Sequence, residues 1–155
     1  MNQGPTTDDH IGFLIKTIND RIRQNADLAF SEFDLTGSQV NYLAYLTEQG
    51  GSASQKSIED YFNVSHPTVI GIVFRMKEKG YVTVTTDEKD RRSRIVTMTQ
   101  KAYDVKKELN LGRIAMNEAI LQGFSGDEKE QLLSYLMRIQ KNTESLAAPS
   151  ERRKQ

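Results

Sequence analysis

The chain is predicted to be mainly α-helical with one small β-hairpin, on three observations. Apolar residues recur at helical spacing through both ends of the chain. The period switches to strict alternation in only two short runs, 81–85 and 94–98. Capping residues and glycines mark the boundaries at Thr36, Gly50-Gly51, Ser65, Gly80, Thr99 and Ser125.

The first helix carries Ile11, Leu14, Ile15, Ile18 and Ile22 on one stripe, with Lys16, Asp20, Arg21, Arg23 and Gln24 turned to water, and is expected to end near Phe30. The second opens at Thr36, where Gln39 completes a capping box. Val40, Leu43, Ala44 and Leu46 give it a buried face, and Gly50-Gly51 stop it. A third, short helix runs from Ser54, buries Ile58, Tyr61 and Phe62, and closes at Asn63, a residue that tolerates the left-handed conformation. Ser65 then caps a fourth, with Pro67 in its first turn. This helix packs through Val69, Ile72, Val73 and Met76, shows Pro67, Thr68, Gly71, Arg75 and Glu78 outward, and ends at Gly80.

Two helices joined by about three residues, the second opening on small polar groups, read as a helix-turn-helix. Tyr81–Thr85 and Arg94–Met98 follow as alternating, β-branched strands around a charged tip, residues 86–93. A helix-turn-helix followed by such a hairpin is a winged helix, here residues 35–99. Thr99 caps a long helix through Ala102, Val105, Leu109, Ala115, Met116, Ala119 and Ile120, which Gly123-Phe-Ser125 breaks. Ser125 and Glu128 form a second capping box, and Leu132, Leu133, Leu136, Ile139 and Leu146 line the last helix. Residues 148–155 have no apolar period and read as a disordered tail.

Composition narrows the function. Of 155 residues, 37% are apolar and 27% charged, and no apolar run approaches the roughly 18 residues of a membrane span. The first ten residues have neither a basic nor an apolar export region, so a cytoplasmic location is expected. With no cysteine and only His10 and His66, neither thiol chemistry nor a metal site is expected, and nothing in the chain calls for a cofactor. No glycine-rich phosphate loop, nucleophile elbow or clustered carboxylate–histidine pair marks an enzyme. The zero net charge hides a gradient: residues 1–50 carry three bases against seven acids, residues 51–101 nine against six. A basic middle suits a nucleic-acid partner.

Within that middle, Ser65, His66, Pro67, Thr68, Gly71 and Arg75 occupy the start and outer face of the fourth helix, where a helix in the major groove reads bases. Lys89, Arg91, Arg92 and Arg94 crowd the hairpin beside Asp90, and an arginine on such a tip can enter the minor groove. Taken singly, Arg75 is as readily a solvated arginine, Gly71 a tolerated helix defect and the hairpin charges a self-paired loop. Together they point to DNA.

The stretch from Ser54 to Thr99 resembles the winged-helix core of the MarR family of bacterial transcriptional regulators. Val64-Ser-His-Pro-Thr-Val69, Met76-Lys-Glu-Lys-Gly80-Tyr-Val, Asp90-Arg-Arg92-Ser93 and Ile95-Val-Thr-Met-Thr99 carry the likeness, and the helical frame extends it over roughly residues 9–147. The resemblance implies a homodimer whose terminal helices, residues 9–30 and 100–147, interlock. Its two lobes would sit on successive major grooves of a near-palindromic operator in double-stranded DNA, with repression the expected outcome. Arg92 would be the minor-groove arginine and Asp90 the acid that positions it. Family members that respond to small aromatic or phenolic ligands suggest a pocket among Phe13, Phe30, Phe33, Tyr42 and Tyr45, although each of these is also an ordinary core aromatic at helical spacing. Oxidant sensing by cysteine is closed to this chain. The rival reading is a winged helix that binds protein. Thr68, Arg75, Lys77 and Lys79 argue against it, while Phe74, pointing away from the core stripe, is a mild dissent open to three readings: contact with thymine methyls, packing under the wing, or a protein partner.

Overall fold

A computed structural model describes residues 7–88 and 90–144. Its elements are α1 (Thr7–Ser31), α2 (Gly37–Glu48), β1 (Ser52–Ser54), α3 (Gln55–Phe62), α4 (His66–Glu78), β2 (Val82–Thr86), β3 (Arg94–Met98), α5 (Gln100–Ile120) and α6 (Gly126–Glu144). Lys89, Leu146 and residues 148–155 lie outside the described residues. The chain divides into two compact units, with the boundary within α5 between Arg113 and Ile114.

In the first unit the helix boundaries expected at Thr36, Ser54 and Asn63 form as caps. The Gln39 amide donates to the Thr36 hydroxyl at 3.4 Å, and the Gln39 side chain accepts from the Thr36 amide at 3.1 Å. The Ser54 hydroxyl accepts from the Ser57 amide at 2.9 Å, and Asn63 closes α3 at φ 50°. The end of α4 is a Schellman turn: Tyr81 N–H donates to the Met76 carbonyl and Gly80 N–H to that of Lys77, both at 2.9 Å, with Gly80 at φ 75°. Tyr81 is thus consumed by the helix closure, and β2 starts one residue later than alternation suggests.

The hairpin is not alone. β1 pairs antiparallel with β3, giving a three-stranded sheet of order β1-β3-β2. Three residues that run from a Gly-Gly stop into the N-cap Ser54 give no period to read, so β1 is invisible to sequence patterning. Gly51, at φ 100°, makes the bend into β1 and stands against the Tyr103 hydroxyl, where a Cβ has no room.

Leu43, Leu46, Ile58, Val69, Val73, Met76, Tyr81, Val82, Val96 and Ala102 form one core, which draws on α2, α3, α4, β2, β3 and the first turn of α5. Burying each of the larger side chains contributes about 1.5–3 kcal/mol. Two assignments are corrected. Ala44 is exposed, and Tyr42 and Tyr45 take the buried face of α2. Tyr61 is also exposed, leaning on Tyr45 at 4.3 Å, because an eight-residue helix has room on its inner face for Ile58 and part of Phe62 only.

In the second unit, α6 begins with the expected capping box. Ser125 N–H donates to the Glu128 carboxylate at 2.7 Å, and Glu128 N–H donates to the Ser125 hydroxyl at 3.3 Å. The first of these bonds holds the Glu128 carboxyl below its ordinary pKa. Leu132 and Ile139 are half-buried, while Leu133 and Leu136 are exposed.

Candidate nucleic-acid interface

Because Val69, Val73 and Met76 anchor α4 in the core, its opposite side is fixed outward. That side carries Pro67, Thr68, Gly71, Phe74 and Arg75, so the sequence-predicted residues from Pro67 to Arg75 do share one face. Ser65 is the N-cap by position, but its hydroxyl does not bind the backbone. It shares a 2.8 Å hydrogen bond with the Thr68 hydroxyl instead, while the Ser65 carbonyl accepts from Thr68 N–H at 3.0 Å. Both hydroxyls remain at the surface at the positive end of the helix, where backbone N–H groups suit an anion.

His66 is less free than the sequence implies. Its Nδ1 meets the Glu59 carboxylate of α3, which also faces Lys56 at 3.7 Å. Lys56 in turn pairs with Asp60 at 2.8 Å. Glu59 thus clasps the start of α4 to α3 across the turn. Sequence reading missed it, although an acid seven residues before a histidine, with a helix end and an N-cap between, is the available signal.

A Cβ built on Gly71 meets nothing closer than the Arg75 guanidinium at 3.9 Å, so the protein's own packing does not require glycine there. The Arg75 side chain is exposed, and its guanidinium bonds to no other described residue. Lys79, by contrast, leaves the interface. It bonds to the Asp34 carbonyl and pairs with the Asp34 carboxylate at 3.2 Å, tying the end of α4 to the chain after α1.

The wing is β2, β3 and the loop between them. Asp87 N–H donates to the Ser93 carbonyl at 3.0 Å, and Ser93 N–H donates to the Asp90 carbonyl at 2.8 Å. The Asp90 carboxylate accepts the Arg92 main-chain amide at 3.0 Å, an Asx-type turn. Asp90 therefore shapes the loop backbone instead of gripping the Arg92 guanidinium. The Arg91 and Arg92 guanidinium groups are exposed and bond to no other described residue. Arg94 is placed differently: its guanidinium donates to Thr86 across the strands and braces the hairpin.

The five aromatics proposed for a ligand do not form one cluster. Tyr42 stacks on Phe62 at 4.7 Å, and Tyr45 meets Phe62 edge-on at 5.8 Å. Phe30 and Phe33 pack against the core. Phe13 is exposed on α1, about 25 Å along the helix from Phe30. The buried Tyr42 hydroxyl has no hydrogen-bond partner among the described residues, and its pKa is raised by burial and then by the Glu59 charge.

Comparison with known proteins agrees with this architecture. Residues 33–93 match the model of the MarR family. Over 129 residues the chain is 33% identical to the uncharacterized HTH-type transcriptional regulator YwoH of Bacillus subtilis, covering 81% of this chain and 92% of YwoH. It is 38% identical over 87 residues to the transcriptional activatory protein BadR of Rhodopseudomonas palustris, spanning 56% of this chain and half of BadR. Among solved structures, YusO of B. subtilis superposes with a TM-score of 0.78 at 20% identity, over 88% of this chain and 99% of YusO. The S. aureus MepR–DNA complex superposes at 0.71 and 22% identity, over 85% and 98%. On the winged helix and the match to YwoH along most of both chains, this protein belongs to the MarR family.

Proposed function

We infer that this protein is a DNA-binding transcriptional regulator that acts as a homodimer on a near-palindromic operator. The observation that carries this reading is the outer face of α4, with Thr68, Gly71 and Arg75, on the same lobe as a wing whose Arg91 and Arg92 guanidinium groups meet no acceptor among the described residues. The α4 face fits the major groove and the wing the minor groove and phosphates. MepR, whose fold is the same, was solved on DNA. YwoH and BadR bear names of transcriptional regulators. Dimerisation is supported by the apolar stripe that α1 leaves uncovered at Ile11, Leu14, Ile15 and Ile18. Repression is the outcome assigned, with action in the cytoplasm. Release by a small aromatic or phenolic ligand is the regulation assigned. It is supported by the aromatic group Tyr42, Tyr45, Phe30 and Phe33 and by the unpartnered Tyr42 hydroxyl. Phe13 stands apart from that group.

The test is fluorescence anisotropy on labelled duplex from the gene's own upstream region, with scrambled duplex as competitor, at two salt concentrations. Binding that resists competitor, with a log–log salt slope of roughly −5 to −9 for a dimer neutralising several phosphates per lobe, supports the reading. No binding at low salt sinks it and turns the search to a protein partner for the exposed Phe74.

A further inference from the structure

Phe74 is 60% exposed and Ile70 44% exposed, although both are large apolar side chains on a helix with a well-filled core side. They stand one turn apart, at i and i+4, and so form a continuous apolar strip. At about 100° per residue, Phe74 lies about 140° round α4 from the buried Val69, close to the middle of the outward face. Pro67 extends the strip toward the helix start, and Thr68 and Arg75 lie along one side of it. Nothing else in this unit explains the exposure: Phe74 makes no ring contact among the described residues and does not pack on the core. Glu78, one turn beyond, puts a negative charge at the helix end, so the part suited to a groove runs from Pro67 to Arg75. The one apolar group on the floor of the major groove is the C5-methyl of thymine.

We propose that Phe74, supported by Ile70, reads thymine methyl groups and sets the base preference of the recognition helix beside the polar contacts of Thr68 and Arg75. This rests on the DNA-binding reading above. Gly71 is consistent with it, since a residue without a side chain one turn before Phe74, on its Thr68 and Arg75 side, lets the strip come down onto the groove floor.

The experiment selects bound duplexes from a random 24-base-pair pool with the full-length protein, then replaces each thymine of the selected site in turn by deoxyuracil, which removes only the methyl. The wild type should lose about fourfold in affinity at one thymine per half-site, the worth of one buried methyl group, and about fifteenfold when both half-sites are changed. Phe74→Ala should bind the methylated site more weakly and be indifferent to that deoxyuracil, and Phe74→Leu should keep part of the discrimination. Because Phe74 is outside the core, both variants should keep the wild-type melting temperature, which is measured alongside. A selected site that the wild type binds equally well with every thymine demethylated overturns the proposal while leaving DNA binding intact. So does a Phe74→Ala variant that retains the full methyl penalty. Recovery of no preferred sequence overturns the DNA-binding reading itself, and this proposal with it.

Discussion

Tyr81 and Tyr42 both belong to the core, yet their hydroxyls stand in opposite situations. The Tyr81 hydroxyl donates to the Phe33 carbonyl at 2.6 Å and fastens the end of α1 to the winged helix, with Lys101 4.4 Å above the ring. The Tyr42 hydroxyl is buried without a partner among the described residues. Tyr81→Phe should therefore destabilise the protein by about 1 kcal/mol, the net worth of one hydrogen bond, whereas Tyr42→Phe should be neutral or stabilising. Urea unfolding of the two variants at pH 7 decides it, and equal losses would contradict the geometry. Both phenols have raised pKa values, first through burial and then through a nearby carboxylate, Glu59 for Tyr42 and Asp34 for Tyr81. A raised folded-state value means stability that is whole below the ordinary tyrosine pKa of about 10 and is lost as pH climbs above it. The urea midpoint should hold from pH 8 to 9.5 and fall beyond pH 10, less steeply in Tyr81→Phe. Gly71 gives a residue-scale test of function. With no packing reason to be glycine, Gly71→Ala should stabilise the free protein by about 0.5–1 kcal/mol. If α4 lies in the major groove, the same change should weaken DNA binding. Affinity that stays level or rises would remove Gly71 from the interface.

At the scale of elements, the wing tests whether Asp90 acts through charge or through the backbone. Its carboxylate accepts the Arg92 amide, a role that an asparagine oxygen can fill. Asp90→Asn should keep DNA affinity close to wild type, while Asp90→Ala should lower it several-fold by loosening the turn that presents Arg91 and Arg92. Arg92→Ala should make the salt slope shallower by about one unit per lobe. Anisotropy titrations at three salt concentrations read all three variants, and an Asp90→Asn variant as weak as Asp90→Ala would restore a charge role. The six helices and the hairpin were legible in the sequence from their periods and boundary residues: Thr36 bonds with Gln39 and Ser125 with Glu128 as their spacing suggests, Ser54 caps α3 through the Ser57 amide, and Asn63 closes it. Less legible was whatever depends on a second element. β1 exists only through its pairing with β3, and Tyr61 is exposed because Phe62 and Ile58 fill the inner face of α3. Glu59 reaches His66, Lys79 turns to Asp34 and Arg94 to Thr86 only once turns bring them together. The candidate interface was legible as a set of outward residues on α4, since the core side of that helix is set by period alone. Which of its charges are already engaged within the protein was not.

For the whole molecule, the first unit leaves an apolar surface open on α1. The core is built from α2 to the start of α5, and α1 contributes Phe30 to it but none of Ile11, Leu14, Ile15 or Ile18. Those four side chains lie on one face of α1 and are each about half exposed, a contiguous apolar stripe of the kind that marks an interface. The second unit repeats the situation on α6, where Leu133, Leu136 and Met137 are exposed. If a second copy covers these stripes, the protein in solution should have twice the chain mass of 17.6 kDa. Leu14→Glu with Ile18→Glu should reduce it to a single chain, read by light scattering at micromolar concentration. Neither residue enters the core, so the winged helix should remain folded and its hydroxyl and amide caps intact. A monomer presents one recognition helix and one wing, so it should hold a two-half-site duplex far more weakly, by 100-fold or more, because the second lobe no longer binds at the high local concentration that the first provides. It should also show a salt slope about half that of the wild type. A variant that keeps the doubled mass would place the interface away from α1. One that becomes monomeric yet binds the duplex as tightly as the wild type would show that a single lobe suffices and would remove the palindromic operator from the reading.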